Sequence, residues 1–327
     1  MGAVAGAAFL ALAVFRLDAF WLGIVTQAVI YSTIFLSITV VTGMAGQISL
    51  CQATFAGVGA FTTAQLVVAF GVPVLAGIAI GACLAAALGA LVALPALRLG
   101  GIHLALATLA FALMFESVLV PLDWVGGGSL PLHVPRPLVG RVDFASDQSF
   151  FLLCLGVLVL VGIAVSLVRS GRTGRFLDSV RGSEVAAMSV GIPTARVKVT
   201  ASALSAAIAG LGGGLLASQQ HEANPARFVP FWGLFWVVLV VTLGSRTIEG
   251  AVNAGLALML VPELLEALGV TPAFGFVLFG LGAITFARHP EGIVEAQKRE
   301  AIGFVDRLVD RLANRRRGRS ATAATEP

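Results

Sequence analysis

The apolar runs in this chain approach or exceed the roughly 20 residues that a helix needs to cross about 30 Å of hydrocarbon. They lack the polar/apolar alternation of an outer-membrane barrel strand. Hydrocarbon holds no water, so every backbone N–H and C=O must be paired within the segment, and such a run folds as a helix. Charged residues make up only 12% of the chain and hydrophobic ones 58%, against about 25% charged in a soluble domain. The expected fold class is therefore an all-α polytopic membrane protein. Spans are expected near 3–17, 19–42, 53–70, 74–97, 100–121, 149–168, 200–219, 231–244, 249–268 and 273–287. The first break is only Arg16-Leu17-Asp18 and the span at 231–244 is short, which makes a bundle of eight to ten helices. Met1 to Phe15 lacks a basic leader and a small-residue cleavage site, so it reads as a first span or signal-anchor.

Charge gives the expected orientation. Of the 21 Lys and Arg, six lie in 169–198 and nine in the tail from Arg288 to Arg319. The polar segment 122–148 has only Arg136 and Arg141, and 220–230 only Arg227. The positive-inside rule assigns 169–198 and the tail to the cytoplasm and the other two segments to the outside. Four spans separate the basic loop from the tail, an even number, and counting back puts the N-terminus inside as well. The expected organisation is a transmembrane domain over 1–287 followed by a basic, partly disordered tail over 288–327.

Several function classes drop out. Cys51, Cys83 and Cys154 have no C-x-x-C spacing, and His103, His133, His221 and His289 are dispersed, so neither a metal centre nor a Cys/His nucleophile is expected. The two lysines, Lys198 and Lys298, follow no G-x-x-x-x-G pattern, so the chain is not expected to bind ATP by a phosphate loop. No enzyme constellation stands out.

Two helices carry a stripe of small residues at every fourth position: Gly77, Gly81, Ala85, Gly89 and Ala93, and then Ser202, Ala206, Gly210, Gly214 and Ser218. Each stripe allows close approach of a neighbouring backbone. The run from Gly43 to Phe61 combines glycines with Gln47, Ser49, Gln52 and Thr54, a poor lipid-facing helix that predicts a break lining a cavity or buried in protein. A second break is expected at Gly210-Leu211-Gly212-Gly213-Gly214. Gln47, Ser49, Gln52 and Thr54 could hydrogen-bond the carboxylate and amine of a zwitterion, or could satisfy the broken backbone. Glu116, a carboxylate inside an apolar span, is a functional candidate by default; the other reading is a paired structural role near the Pro121-Leu122-Asp123 turn. A helix between Arg175 and Ala187 would bring Phe176, Val180 and Ala187 to one face, flanked by Arg175, Asp178 and Arg181, and could plug a groove on a soluble partner.

Three motifs carry a resemblance. Thr42-Gly43-Met44-Ala45-Gly46-Gln47-Ile48-Ser49 with Ala53 to Phe61, and Arg98 to Phe111, resemble stretches of the branched-chain amino acid ABC transporter permeases, M-type subunit. Arg181 with Glu184-Val185-Ala186-Ala187 and Gly191 resembles the EAA loop, by which ABC importer permeases dock on their ATP-binding subunits. The chain departs from the family at Cys51, Gln52, Thr54, His103 and Arg246-Thr247. The resemblance implies an ABC importer permease fold and inward transport of branched-chain amino acids or similar small polar solutes. It also implies a bacterial cytoplasmic membrane, a homologous H-type permease partner, two ATP-binding subunits that supply the ATP, and an extracytoplasmic binding protein. Urea or short-amide permeases are the nearer alternative. An ion-gradient-driven secondary transporter is the alternative from another class, and it would carry a cluster of intramembrane carboxylates where only Glu116 is a candidate.

Overall fold

The computed structural model describes residues 18–96, 101–128, 130–139, 142–144 and 146–271, together with Phe274, Gly275, Val277 and Gly280. The spans expected at 3–17 and, save these four residues, 273–287, the tail from 288 and both termini lie outside the described residues. Among those residues seven helices are long and apolar enough to cross a membrane, and a shorter apolar helix covers His103–Leu119.

In chain order the spanning helices are α1 (Ala19–Ile38, continued by a π-helical turn Thr39–Met44), α2 (Gln52–Phe70), α3 (Val74–Ala96) and α4 (Ile102–Met114, with a π turn Phe115–Leu119). A four-residue α5 (Asp123–Gly126) precedes α6 (Asp147–Ser170). The loop helices are α7 (Arg172–Gly182) and α8 (Glu184–Ser189), and α9 (Thr194–Gln220), α10 (Pro230–Gly244) and α11 (Ile248–Ala267) complete the bundle. These agree with the eight spans expected between 19 and 268. Local chemistry sets several ends. Ser146 caps α6 by accepting from the Ser149 N–H, and Thr247 caps α11 by accepting from the Gly250 N–H.

The two small-residue stripes face each other. A Cβ on Gly89 would run into Ser202 and Ala206, one on Gly210 into Ala82 and Ala85, and one on Gly214 into Ile78. Thus α9 lies along α3, its most extensive contact, and then against α2 and α1. The break expected at Gly210–Gly214 does not exist: α9 is continuous from Thr194 to Gln220. Its glycines are there for contact. A Cβ on Gly213 would overlap the Ala56 carbonyl of α2, and one on Gly59 the Gly210 backbone of α9. Without a hydrophobic drive between helices in lipid, dense backbone contact of this kind is what holds them. Helix α1 is the most enclosed, with 89% of its apolar window buried, whereas α11 has 28% and turns Leu264 outward.

The polar segments collect at two ends. At one, here the strand end, β1 (Leu132–His133) pairs antiparallel with β4 (Glu222–Ala223), joining 122–148 to 220–230. The Ser218 hydroxyl donates to Pro135 O (3.1 Å) and the Gln219 amide to Gly23 O (3.0 Å), tying the start of α1 to the same end. Arg136 bridges to Asp147 at 2.5 Å and lies over the Phe150 ring. A two-stranded ribbon, β2 (Leu138–Val139) with β3 (Val142–Asp143), completes this end. Helices α7 and α8 lie at the other, the loop end, with α7 against the π turn that ends α1.

Helix crossings held by backbone contact respond sharply to one added methyl. Gly59→Ala is expected to lower the thermal midpoint of the solubilised protein, since overpacking costs about 1–3 kcal/mol. Gly156→Ala, where nothing lies within 4 Å, is expected to leave it unchanged or raise it, because Ala favours a helix by about 1 kcal/mol over Gly. Equal midpoints for the two variants would overturn the crossing.

Candidate functional site

The break after α1 is present. The π turn Thr39–Met44 gives way to non-helical Ala45–Cys51 before α2 begins at Gln52. Several of its backbone groups are nonetheless met from within the protein. The Ala45 N–H donates to Val40 O, the Gln47 N–H to Val41 O, and the Leu50 N–H to the Thr108 hydroxyl of α4 (3.0 Å). The Thr42 hydroxyl donates to Gln47 O at 3.1 Å. Gly46, at φ +67, takes a left-handed conformation that glycine adopts without strain.

The sequence candidates divide here. Gln52 is engaged in a closed buried triangle. Its amide N–H donates to the Ser205 hydroxyl (3.1 Å), Ser205 donates to Ser37 O (2.8 Å), and the Ser37 hydroxyl donates to Gln52 Oε1 (3.0 Å). Ser49 contacts Cys51 Sγ at 3.3 Å and the Gln52 amide at 3.4 Å. Gln47 is different: it is 8% exposed, its Oε1 sits 3.5 Å from the Ser202 hydroxyl, and its Nε2 is buried without a partner among the described residues. Gln47, Ser49, Gln52, Phe55, Thr108 and Ser202 line one cavity of about 20 Å³, room for roughly one water. Thr54 is fully buried with its hydroxyl unpartnered, and it does not line that cavity. Glu116 is half-buried in the π turn of α4, eight residues or roughly 12 Å along the helix from Thr108. The structure therefore brings Gln47, Ser49 and Gln52 together and leaves Thr54 and Glu116 apart.

The loop 169–198 also departs from expectation. Instead of one helix from Arg175 to Ala187 there are two, α7 and α8, divided at extended Ser183, whose hydroxyl accepts from the Ala186 N–H and caps α8. Ser183 is a better cap than a helix interior residue. Val180 and Ala187, with Leu177, turn into the bundle and Phe176 is half-buried, so the face expected to meet a partner is spent on this chain. The outward apolar side chains are Val185 (74% exposed), Met188 (52%) and Val190 (74%), beside exposed Arg175, Ala186 and Gly191.

Two polar links tie this hairpin to the bundle. Glu184 accepts both of its bonds from Lys198 Nζ, at 2.6 and 2.7 Å, clamping the start of α8 to α9. Arg181 donates to Gly43 O at 2.5 Å, and its stem packs where a Cβ on Gly46 would lie. Burial and the nearby Arg246 and Arg169 cations pull the Arg181 guanidinium below its ordinary pKa, with Asp178 opposing. Arg169 in turn donates to Arg246 O at 3.0 Å. Sequence reasoning missed Lys198, Leu177 and the Arg181–Gly43 bond. A buried cation fourteen residues from Glu184 leaves no periodic signal, and a side-chain bond to a carbonyl leaves none at all.

Comparison with known proteins agrees with this architecture. Residues 20–285 match the family model described as branched-chain amino acid transport system, permease component. The chain is 28% identical over 295 residues to the high-affinity branched-chain amino acid transport system permease protein LivM of Escherichia coli K12, covering 83% of this chain and 69% of that protein. LivM of Salmonella typhimurium LT2 is 27% identical over 295 residues with the same coverage. No solved structure matches the chain. With a polytopic helical bundle and a family match over most of its length, the chain belongs to the permease component family of branched-chain amino acid transport systems.

Proposed function

We propose that this chain is the membrane-spanning permease of an ABC importer that moves a branched-chain amino acid or a similar small polar solute inward, in alternating access driven by partner ATP-binding subunits through the loop 169–198. A homologous permease, two ATP-binding subunits and an extracytoplasmic binding protein complete the assembly. The loop end faces the cytoplasm and the strand end faces outward, in keeping with the cation count of the loops.

One observation carries the reading. The exposed hairpin of the loop end is bonded to the helix break that walls the Gln47 cavity, through Arg181 and the Gly43 carbonyl. A partner that grips Val185, Met188 and Val190 thereby pulls on the segment between Gly43 and Gln47. Lys198 and Glu184 make the hairpin and α9 move together, and α9 supplies Ser202 and Ser205 to the same polar cluster. A cavity of about 20 Å³ admits no amino acid, so transport requires that the break be displaced. Gln47 is the group for the solute: its buried, unpartnered Nε2 costs about 1–3 kcal/mol while unmet, a cost that a polar solute at this point removes.

These roles separate in variants. Val185→Asp with Met188→Asp is expected to insert normally but copurify with little ATP-binding subunit. Arg181→Ala is expected to keep that subunit and its ATP hydrolysis while substrate uptake falls about tenfold or more, a loss of coupling of roughly 1.5 kcal/mol or above. Full uptake by Arg181→Ala would remove the transmission role. Gln47→Leu is expected to reach the membrane at the normal level with uptake reduced about tenfold, whereas Gln52→Leu, which opens the Ser37–Ser205 triangle, is expected to lower the amount of folded protein. Normal uptake by Gln47→Leu would return that residue to a packing role.

A further inference from the structure

A second cavity, of about 330 Å³, opens between α1, α10 and α11 at the strand end. Its size lies in the range of small-molecule sites, and its lining is divided by chemistry. Gln27, Tyr31 and Arg227 supply an amide, a hydroxyl and a guanidinium, while Trp236, Leu258 and Met259 supply apolar walls. Tyr31 stands edge-on to Trp236 at 5.5 Å, and Phe35 backs the same tryptophan at 6.0 Å, so this wall is rigid.

Arg227 is the only cation of 220–230, and it makes no ion pair among the described residues. It ends a short 3-10 turn, Pro225–Arg227, fixed by Asn224, whose side chain accepts from the Ala226 N–H at 3.1 Å. The carboxylate nearest in sequence, Glu222, accepts from the Asn224 amide at 3.1 Å. The guanidinium is thus exposed at the rim with its donors available, and its planar fork matches a carboxylate.

We propose that this cavity is a loading site for a small solute bearing a carboxylate and an apolar side chain, in which Arg227 takes the carboxylate and the Trp236–Leu258–Met259 wall takes the side chain. The proposal rests on the transport reading above and adds to it a site distinct from the Gln47 cavity, at the end where the solute arrives. A bilayer phospholipid has the same anion-plus-apolar chemistry, but the lining favours the solute. Gln27 and Tyr31 are the ninth and thirteenth residues of α1, roughly 12 and 18 Å from its start. Gln27 and Tyr31 are hydrogen-bonded to each other, and an acyl chain there would leave the remaining amide groups of Gln27 facing hydrocarbon, a polar burial without compensation, whereas a zwitterion's amine is a partner for both oxygens.

The test uses the assembled transporter in nanodiscs with Ala226→Cys, an exposed position on the rim, in a background with Cys51, Cys83 and Cys154 replaced. L-leucine is expected to slow maleimide labelling at this cysteine, and leucinamide, in which the carboxylate is an amide, is expected not to. Arg227→Gln is expected to raise the leucine concentration needed by tenfold or more, the loss of a charge-assisted bond, and Arg227→Lys to recover part of it. Equal protection by leucine in Arg227→Gln overturns the role of Arg227. No protection in the parent overturns the site, and if ATP-driven leucine uptake persists, the transport reading stands without it. Protection without ATP-driven uptake keeps the site and fails the transport reading. Protection by added phosphatidylglycerol in place of leucine assigns the cavity to lipid and overturns the proposal.

Discussion

A peptide group released from a helix inside hydrocarbon has no water to turn to, and the arrangement around Ala45–Cys51 follows from that constraint. The break frees donors and acceptors that must be met by protein. They are met by a distant element in each direction: Thr108 on α4 takes the Leu50 N–H, and Arg181 on α7 bonds the Gly43 carbonyl. The break is therefore fixed to the loop 169–198 by its own need for partners. A helix that ran on through this segment would have kept the Gly43 carbonyl in its own ladder and left Arg181 without this partner.

The same constraint explains why α9 is rich in glycine yet unbroken. Hydrocarbon offers no hydrophobic drive for helix association, so contact must come from backbones that approach closely. Gly210 and Gly213 let α9 lie on α3 and α2, and the recovered contact offsets the lower helix propensity of glycine, about 1 kcal/mol each. A surface built from Gly, Ala and Ser is also smooth. Helices meeting along it have few interlocking side chains to unlock when they shift, whereas the Tyr31–Phe35–Trp236 cluster between α1 and α10 is large and edge-packed. If the permease rocks, the smooth α3–α9 seam is the place of least resistance and the aromatic cluster moves as a block.

Much of this was legible in the sequence because bilayer constraints write periodic signals. Span length gave eight helices between 19 and 268, and spacing by four marked the two stripes, which prove to be each other's partners. Glycines with amides marked the break at 45–51, but glycines alone did not mark one at 210–214, where Leu211, Leu215 and Leu216 keep the helix apolar and the glycines serve contact. The loop was read less well. Periodicity put Val180 and Ala187 on a partner-facing stripe, yet an apolar stripe says only that something covers it, and here the covering element is the bundle of the same chain. Ser183 caps α8 and so divides the expected helix, a local preference that the longer pattern concealed. Which of several polar residues is left unpaired is a three-dimensional fact. Gln47 and Gln52 are equivalent as letters, and only the presence of Ser37 and Ser205 around one of them separates their roles.

The two cavities differ in a way that bears on direction. About 330 Å³ lies at the strand end and about 20 Å³ beside the break, so in this conformation the first cavity has room for a small solute and the second does not. Gln27 and Tyr31 in the first part and middle of α1 line the larger cavity, while the π turn Thr39–Met44 that continues the same helix leads into the break that walls the smaller. The middle of α1 is held against α11: Ser32 donates to Ala28 O and also approaches Val252 O at 3.2 Å, where Gly255 lets α11 come close. The π turn departs from the α-helical ladder, a local change frequent at functional sites, and it is here, at the Gly43 carbonyl, that Arg181 bonds the helix, so the link to the loop falls where α1 is already irregular.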